Sequence, residues 1–237
     1  MRQIFEDVST GAPALVARLQ KFCFPHGEDA AAGVLAIKTR ETGQIRMSNE
    51  ARWIPFTAEQ VVVATQSSFR WEARLDPGKF AAPTVTDAYE EGHGRVSVKL
   101  GGLLPVKKVV GPDADKGELQ RYLSSFVICP AMLLNHPTLE WSAAGPSVLR
   151  MGDRQNSAGA TIDVELSEEG CPVAIRAQRP RMVGKKTVIT PWVATGGEFR
   201  EYEGMRVATR LEVSWDLPEG ELKCYLGKIT SFATVRL

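Results

Sequence analysis

The chain has 237 residues and carries 29 Lys and Arg against 28 Asp and Glu, a formal net charge of +1. This length suits one large all-β domain, and the balanced charge argues against a nucleic-acid-binding protein or a polybasic membrane-surface protein. The composition, 43% hydrophobic and 24% charged, is typical of a globular protein and excludes a disordered or collagen-like chain.

Two features of the sequence bear on its compartment. No apolar run is long enough for a membrane helix, and the N-terminus lacks the basic and then apolar pattern of a secretion signal. Cys23, Cys129, Cys171 and Cys224 are far apart and include no C-x-x-C pair, so we expect them to be reduced. The sequence therefore predicts a cytoplasmic protein without stable membrane insertion.

The first predicted element is a helix over about residues 12–23. Leu15, Leu19 and Phe22 recur there at the spacing of one helical face, and Pro13 suits the first turn. Pro25-His26-Gly27 ends the helix.

Short strands separated by turn signals are predicted next, over about residues 33–109. Glu41-Thr42-Gly43 is interpreted as one of these turns. The segment Phe69–Leu75 alternates apolar and charged side chains, which is typical of a strand with one buried and one solvated face. These features predict antiparallel β-structure.

A central helix is predicted over about residues 115–134. Its apolar residues recur at spacings of three and four and form one stripe, comprising Leu119, Tyr122, Leu123, Phe126 and Val127. Asp115 and Glu118 have the spacing of a capping box, and Pro130 ends or kinks the helix.

A second set of strands is predicted over about residues 138–236. The basic run Gln178–Lys186 within it is interpreted as a solvated loop or, alternatively, an anion contact. No crossover helices separate the strands, which excludes a parallel doubly wound sheet. We therefore predict a mainly β (α+β) fold: one domain over residues 1–237, formed by a large curved antiparallel sheet or half-barrel with two main helices against its concave face.

Several segments resemble an uncharacterised bacterial family of unknown function, over about residues 50–237. They are FRWEA at 69–73, VTDAYEEGHGR at 85–95, KGELQRYLSSFVICPAMLL at 116–134, LEWSAAG at 139–145, Pro191-Trp192 and SWDLPEGELKCY at 214–225. The order of strands and helices also looks like the lipoprotein-carrier (LolA/LolB-like) fold. That resemblance implies an incomplete barrel, plugged by helices, that holds an apolar ligand.

The segment richest in titratable groups runs from Asp87 to Arg95 and is predicted to join two strands. Asp87 and Tyr89 share a strand face because side chains alternate, and His93 lies among acidic residues. With Glu118 of the central helix, they form a candidate acid/base set at the barrel mouth. The alternative is a solvated hairpin turn, with Glu118 acting in a helix cap.

The candidate ligand-binding residues combine one cation with several aromatic rings. Arg121 and Tyr122 follow Glu118 at positions i+3 and i+4, so the three side chains can meet on one flank. Trp71, Trp141 and Trp192 lie in predicted strands and would either wall a pocket or fill the core.

The sequence contains none of the common nucleotide, zinc or nucleophile motifs, and it predicts no metal and no cofactor. Two functions stay open. The first is binding of a small or elongated apolar molecule in the half-barrel. The second is an enzyme that performs acid/base chemistry in the same place, as an isomerase, cyclase, dehydratase or hydrolase.

Overall fold

The computed structural model describes residues 8–78, 82–156, 159–184 and 186–237. Helix α1 (Val8–Cys23) begins earlier than predicted and ends where predicted. Leu15, Leu19 and Cys23 are buried on one face of this helix. The spacing of apolar residues therefore identified the buried face correctly, although it did not locate the first turn.

Antiparallel strands dominate the described residues. They are β1 (Val34–Ile45), β2 (Ile54–Val63), β3 (Phe69–Leu75), β4 (Pro83–Glu90), β5 (His93–Leu100), β6 (Leu104–Val109), β7 (Leu139–Gly145), β8 (Val148–Asp153), β9 (Thr161–Leu166), β10 (Pro172–Val183), β11 (Lys186–Gly197), β12 (Arg200–Tyr202), β13 (Met205–Val207), β14 (Arg210–Leu217) and β15 (Gly220–Arg236). Strands β12 and β13 form a separate ribbon, and the others form one sheet of 13 strands in the order β6-β5-β4-β3-β2-β1-β15-β14-β11-β10-β9-β8-β7.

The predicted alternation is confirmed in β3. Phe69, Trp71, Ala73 and Leu75 are buried, and the charged residues between them are exposed. The register across the sheet carries this face to β4, where Trp71 lies opposite Asp87. Side chains at paired positions point to the same side of a sheet, so Asp87 lies on the buried face although it is charged.

The interpretation of Glu41-Thr42-Gly43 as a turn is wrong. These residues lie inside β1, which runs without interruption to Ile45 and pairs with both β2 and β15. Glycine at position 43 is required by close approach: a Cβ there would collide with the Phe56 ring and the Leu226 carbonyl. Gly43 thus marks tight packing within a strand rather than a bend.

The central helical segment is shorter and more divided than predicted. Helix α2 (Pro112–Ser124) is followed by a 3-10 turn over Ser125–Val127 and by the short helix α3 (Met132–Asn135). Proline occupies the first turn of α2, where the missing N–H costs nothing. Asp115 is not the helix cap; its carboxylate accepts a hydrogen bond of 2.7 Å from the Gly94 amide.

Helix α2 lies on the concave side of the sheet. It packs against β4 and β5 from one half and against β9 and β10 from the other. These strand pairs are far apart in the sheet order, so the sheet curves around the helix and stays open. The half-barrel prediction is therefore confirmed, and one hydrophobic cluster extends over both strand sets.

The predicted burial of Tyr122 and Phe126 is confirmed, because both side chains are fully buried. We expect Phe126→Ala to lower the free energy of unfolding by about 3–5 kcal/mol, since it removes a large apolar group and leaves a cavity. Urea denaturation measures this change. Leu103→Ala is the control, because Leu103 is 89% exposed. A loss for Phe126→Ala as small as for the control would contradict the assignment.

Candidate functional site

Arg121 of α2 and Asp87 of β4 form an ion pair on the concave side of the sheet. The Arg121 guanidinium also lies over the Trp71 ring, 4.7 Å from its centroid, and 5.3 Å from the Phe69 centroid. A cation held between a carboxylate and aromatic faces has little freedom to reorient. Arg121 therefore ties α2 to β3 and β4.

Glu41 provides a second buried carboxylate beside Trp71. Its two oxygens accept hydrogen bonds from the Trp71 indole and from the Tyr225 hydroxyl, the latter at 2.8 Å. Phe56 completes this wall, stacked on Tyr225 with ring centroids 5.4 Å apart. Burial raises the pKa of Glu41, although the hydrogen bonds from Trp71 and Tyr225 act in the opposite direction.

Arg179 of β10 reaches the same space from the other half of the sheet. It donates a 2.6 Å hydrogen bond to the Gly117 carbonyl, and its Nη2 lies 3.7 Å from Glu118 Oε1. Its guanidinium also lies over the Trp192 ring, 4.8 Å from the centroid. The basic run was predicted to be a solvated loop; for Arg179 this is wrong, because the side chain is only 11% exposed.

We call these buried residues the interior polar cluster. Its members are Glu41, Trp71, Asp87, Glu118, Arg121, Arg179, Trp192 and Tyr225. Three of their buried polar atoms, Asp87 Oδ1, Glu118 Oε2 and Arg179 Nε, have no hydrogen-bond partner among the described residues. Buried polar atoms are nearly always paired, so the cluster offers two acceptors and one donor to a further group.

Glu118 is the group in this cluster whose protonation changes near neutral pH. Burial raises its pKa to about 7, and the neighbouring Asp87 carboxylate adds to the increase, while Arg179 and Arg121 lower it. A carboxyl group with this pKa can hold or release a proton under physiological conditions.

The remaining predicted site residues lie outside the interior polar cluster. The Tyr89 hydroxyl accepts a hydrogen bond from the Asn156 amide, and burial raises its pKa to about 12. The Tyr122 hydroxyl donates to the Val63 carbonyl at 2.9 Å. Neither hydroxyl is among the groups that contact Arg121.

His93 and Trp141 are also placed elsewhere. The His93 side chain is 81% exposed, with Nδ1 3.7 Å from Asp115 Oδ2. Neighbouring side chains alternate across a strand, and Asp87 pairs with Val96, so His93 points away from the Asp87 face. Trp141 is half-buried on β7, at the edge of the sheet, and packs against the hydrophobic core.

Sequence reasoning missed Glu41, Arg179 and Tyr225. For Glu41 a signal existed, because Ile37, Thr39 and Glu41 follow the period-two spacing of one strand face and all three are buried. For Arg179, the same spacing from Ile175 and Ala177 would have placed it on the buried face of β10. The sequence analysis assigned Glu41 to a turn and Arg179 to a solvated loop or an anion contact, so neither was placed on a buried strand face.

A serine, a histidine and an aspartate also meet, away from this cluster. Ser67 Oγ lies 3.2 Å from His136 Nε2 and donates a 2.6 Å hydrogen bond to Asp153. His136 Nδ1 accepts the Thr138 N–H at 3.3 Å, which leaves the ring proton on Nε2. The serine proton is thus directed to the carboxylate, so His136 cannot act as its base, and the group ties the β2–β3 turn to β8.

Comparison with known proteins gives a family. A model described as a family of unknown function (DUF6920) matches residues 10–233. The chain belongs to this family. The predicted resemblance to an uncharacterised family is therefore confirmed, and no curated protein matches the chain.

Solved structures of similar fold share little sequence with the chain. A DUF1329 family protein from Desulfovibrio piger has a TM-score of 0.54 at 8% identity, covering 94% of this chain and 93% of its own. A putative outer membrane lipoprotein-sorting protein domain from Vibrio parahaemolyticus has a TM-score of 0.50 at 11% identity, with 92% and 93% covered. A LolA superfamily protein from Nitrosomonas europaea reaches 0.49 at 8% identity, with 98% and 96% covered.

The first two of these structures support the predicted lipoprotein-carrier-like fold. Among the described helices, none has the length and hydrophobicity needed to cross a membrane. Within the described residues, no three His, Cys, Asp or Glu side chains are grouped in a way that could hold a metal ion.

We expect Glu118 to make the stability of the protein depend on pH. Its pKa is about 7 in the folded protein and about 4.3 in an unfolded chain. Between these values the unfolded chain releases the proton and the folded protein retains it, so stability falls as the pH rises. Relative to Glu118→Gln, the wild type should lose on the order of 3 kcal/mol from pH 4.3 to pH 7.

Denaturant unfolding of both proteins across this pH range measures the difference, because contributions from other groups cancel. Glu140→Gln removes an exposed carboxylate and serves as the control for the loss of one charge. If the difference between wild type and Glu118→Gln were independent of pH, Glu118 would not be a perturbed buried acid.

Proposed function

We propose that the protein binds an elongated apolar molecule on the concave side of its open sheet, with the polar end of that molecule at the interior polar cluster. The observation that carries the proposal is the set of unpaired buried atoms on Asp87, Glu118 and Arg179. Their pairing requires a group that both donates and accepts hydrogen bonds. A hydroxyl, amide or protonated acid at the end of an apolar chain meets this requirement.

The strands beyond the cluster supply the apolar part of the site. Val85 lies opposite Val98, on the same strand face as Asp87, because the positions differ by two residues. Leu100 follows on that face and is exposed, whereas Val85 and Val98 are half-buried. A concave apolar surface that leads to a few polar groups is typical of small-molecule sites.

The comparison supports this class of ligand. The Vibrio domain of similar fold is described as lipoprotein-sorting, and a lipid-modified cargo carries apolar chains. We extend only the apolar character of the ligand to this protein. A cytoplasmic location is part of the proposal, supported by four cysteines that are all free, since reduced thiols are typical of that compartment.

A fluorescent fatty acid, 11-(dansylamino)undecanoic acid, tests the proposal at a pH low enough to protonate its carboxyl group, which then both donates and accepts hydrogen bonds. We expect saturable binding, and we expect Val98→Trp to weaken it about tenfold or more, because the larger ring fills the concave surface. Ser97→Trp is the matched control, since Ser97 is half-buried on the opposite face of the same strand. No binding by the wild type, or an equal loss in both variants, would contradict the proposal.

A second candidate function is acid/base catalysis at the same cluster, and the carboxyl group of Glu118 favours it. Its pKa of about 7 lies where a general acid or base is most effective, and Asp87 and Arg121 are placed to orient a substrate. His93, which was part of the predicted acid/base set, is too exposed to contribute here.

Native mass spectrometry of protein purified from its own host distinguishes the two functions. Wild type and Glu118→Gln are compared after the same purification. A binding protein should carry molecules of the same mass in both forms. An enzyme blocked at Glu118 should instead accumulate a substrate whose mass differs from that of the product carried by the wild type.

A further inference from the structure

Two hairpins of the sheet contain basic residues and no acidic residue. The β5–β6 hairpin spans residues 93–109, and the β10–β11 hairpin spans residues 172–197. Together they hold nine of the 29 Lys and Arg of the chain, while all 28 Asp and Glu lie elsewhere. The nine cations are Arg95, Lys99, Lys107, Lys108, Arg176, Arg179, Arg181, Lys185 and Lys186.

The same two hairpins expose most of the large apolar side chains that reach solvent. Of the twelve exposed large hydrophobic residues in the described parts of the chain, eight lie near these two turns: Leu100, Leu103, Leu104, Val106, Met182, Val183, Val188 and Ile189. Apolar side chains this exposed and this concentrated usually mark a contact surface. We call these eight residues and the cations near the two turns the basic-apolar tips; the cations are Lys99, Lys107, Lys108, Arg181 and Lys186.

The turn between β5 and β6 presents its apolar residues outward. Gly101 and Gly102 have φ angles of 58° and 77°, a conformation that glycine adopts without strain. The turn leaves Leu103 89% and Leu104 64% exposed. The start of β5 contacts α2 at Gly94, and six residues of strand carry the tip about 20 Å beyond that point.

Both tips lie along the same rim of the sheet. Consecutive antiparallel strands place alternate turns at the same end, and the pairings from β6 to β10 are antiparallel throughout. This is also the rim to which the apolar surface of Val85, Val98 and Leu100 leads. The basic-apolar tips therefore border the open end of the proposed ligand site.

The apolar residues of the β10–β11 hairpin point to both of its faces. Val188 pairs with Arg181 and Ile189 with Pro180, so the two apolar neighbours lie on opposite sides of the strand, and both are about half exposed. A protein partner would cover one face of a hairpin. An apolar medium that surrounds the tip would cover both faces.

We propose that the basic-apolar tips dock the protein on the surface of an anionic lipid bilayer. The apolar side chains enter the headgroup region, and the flanking cations contact the anionic headgroups, a combination that gives reversible peripheral binding. This docking places the open rim against the membrane, where apolar molecules reside. The inference goes beyond ligand binding, because the tips lie outside the interior polar cluster.

Vesicle flotation of the full chain tests the docking. We expect binding to phosphatidylcholine vesicles that contain about one third phosphatidylglycerol, and much weaker binding to phosphatidylcholine alone. Added salt should weaken the binding, because it screens the charges. Leu103→Glu and the double variant Lys107→Glu/Lys108→Glu should each reduce vesicle affinity by about tenfold or more.

Two control variants carry the same types of substitution at positions away from the tips. Val173→Glu alters a residue that is 45% exposed on β10 but at the other end of the strand. Lys38→Glu/Lys228→Glu makes the same change in net charge at exposed positions on β1 and β15. Both should retain wild-type vesicle binding.

Wild-type protein that stays unbound with anionic vesicles would overturn the proposal and leave the tips as a surface for a protein partner. Equal losses in the control variants would overturn it as well, because they would show an effect of net charge alone. Binding of the dansyl fatty acid without vesicles is measured on the same variants. Leu103→Glu should keep that binding, so a failure of docking is distinguishable from a failure of the ligand site.

Discussion

The burial of charged side chains on α2 is the constraint on which the rest of the structure depends. Arg121 reaches Asp87 on one half of the sheet, and Glu118 faces Arg179 from the other half. A buried charge without its partner costs several kcal/mol, so the helix cannot slide or rotate without exposing or stranding these groups. The curvature of the sheet follows, because strands distant in sheet order must approach one helix. The opening of the sheet follows too, since the helix occupies the position where opposite strands of a closed barrel would meet.

Apolar packing alone would position α2 less specifically. The apolar side chains of α2 and of the 3-10 turn after it are fully buried, namely Leu119, Tyr122, Leu123 and Phe126, yet an apolar helix face can pack in several registers. Hydrogen bonds and ion pairs have narrower geometric requirements. The Arg121 guanidinium pairs with Asp87 and lies over the Trp71 ring. These contacts hold α2 in one defined position on the sheet. That position leaves Glu118 beside the unpaired atoms that we assign to a ligand.

The sequence was sufficient to predict the class of fold and part of the site, because those features follow the usual distribution of apolar and charged side chains. The alternation in Phe69–Leu75 predicts a half-buried strand because each residue there follows the rule that apolar side chains are inside. The contact between Asp87 and Arg121 could be predicted, because the spacing of residues identifies the strand face of Asp87 and the helix flank of Arg121. Glu41 and Arg179 break the rule: the spacing of each strand places them on a buried face, but only their partners explain how a charge is accommodated there. The partner of Glu41 is Trp71, 30 residues away in the chain, and the partner of Arg179 is Glu118, 61 residues away. Sequence spacing cannot show contacts at that distance, so nothing in the sequence contradicted the assignment of Glu41 to a turn and of Arg179 to a solvated loop.

The net charge of +1 illustrates the same limit on a larger scale. A sum near zero was taken as an argument against a membrane-surface protein, but a sum carries no information about where the charges lie. Two hairpins of this sheet concentrate cations and exclude acids, and the rest of the chain carries the compensating excess of acids. Electrostatic attraction to a surface decays within about 8–10 Å at ordinary ionic strength. A bilayer that meets the hairpin tips is therefore influenced mainly by the charges at that rim, which are the cations of the tips and the acidic residues of the neighbouring β14–β15 turn. The total charge of the chain thus does not exclude attraction to anionic lipid.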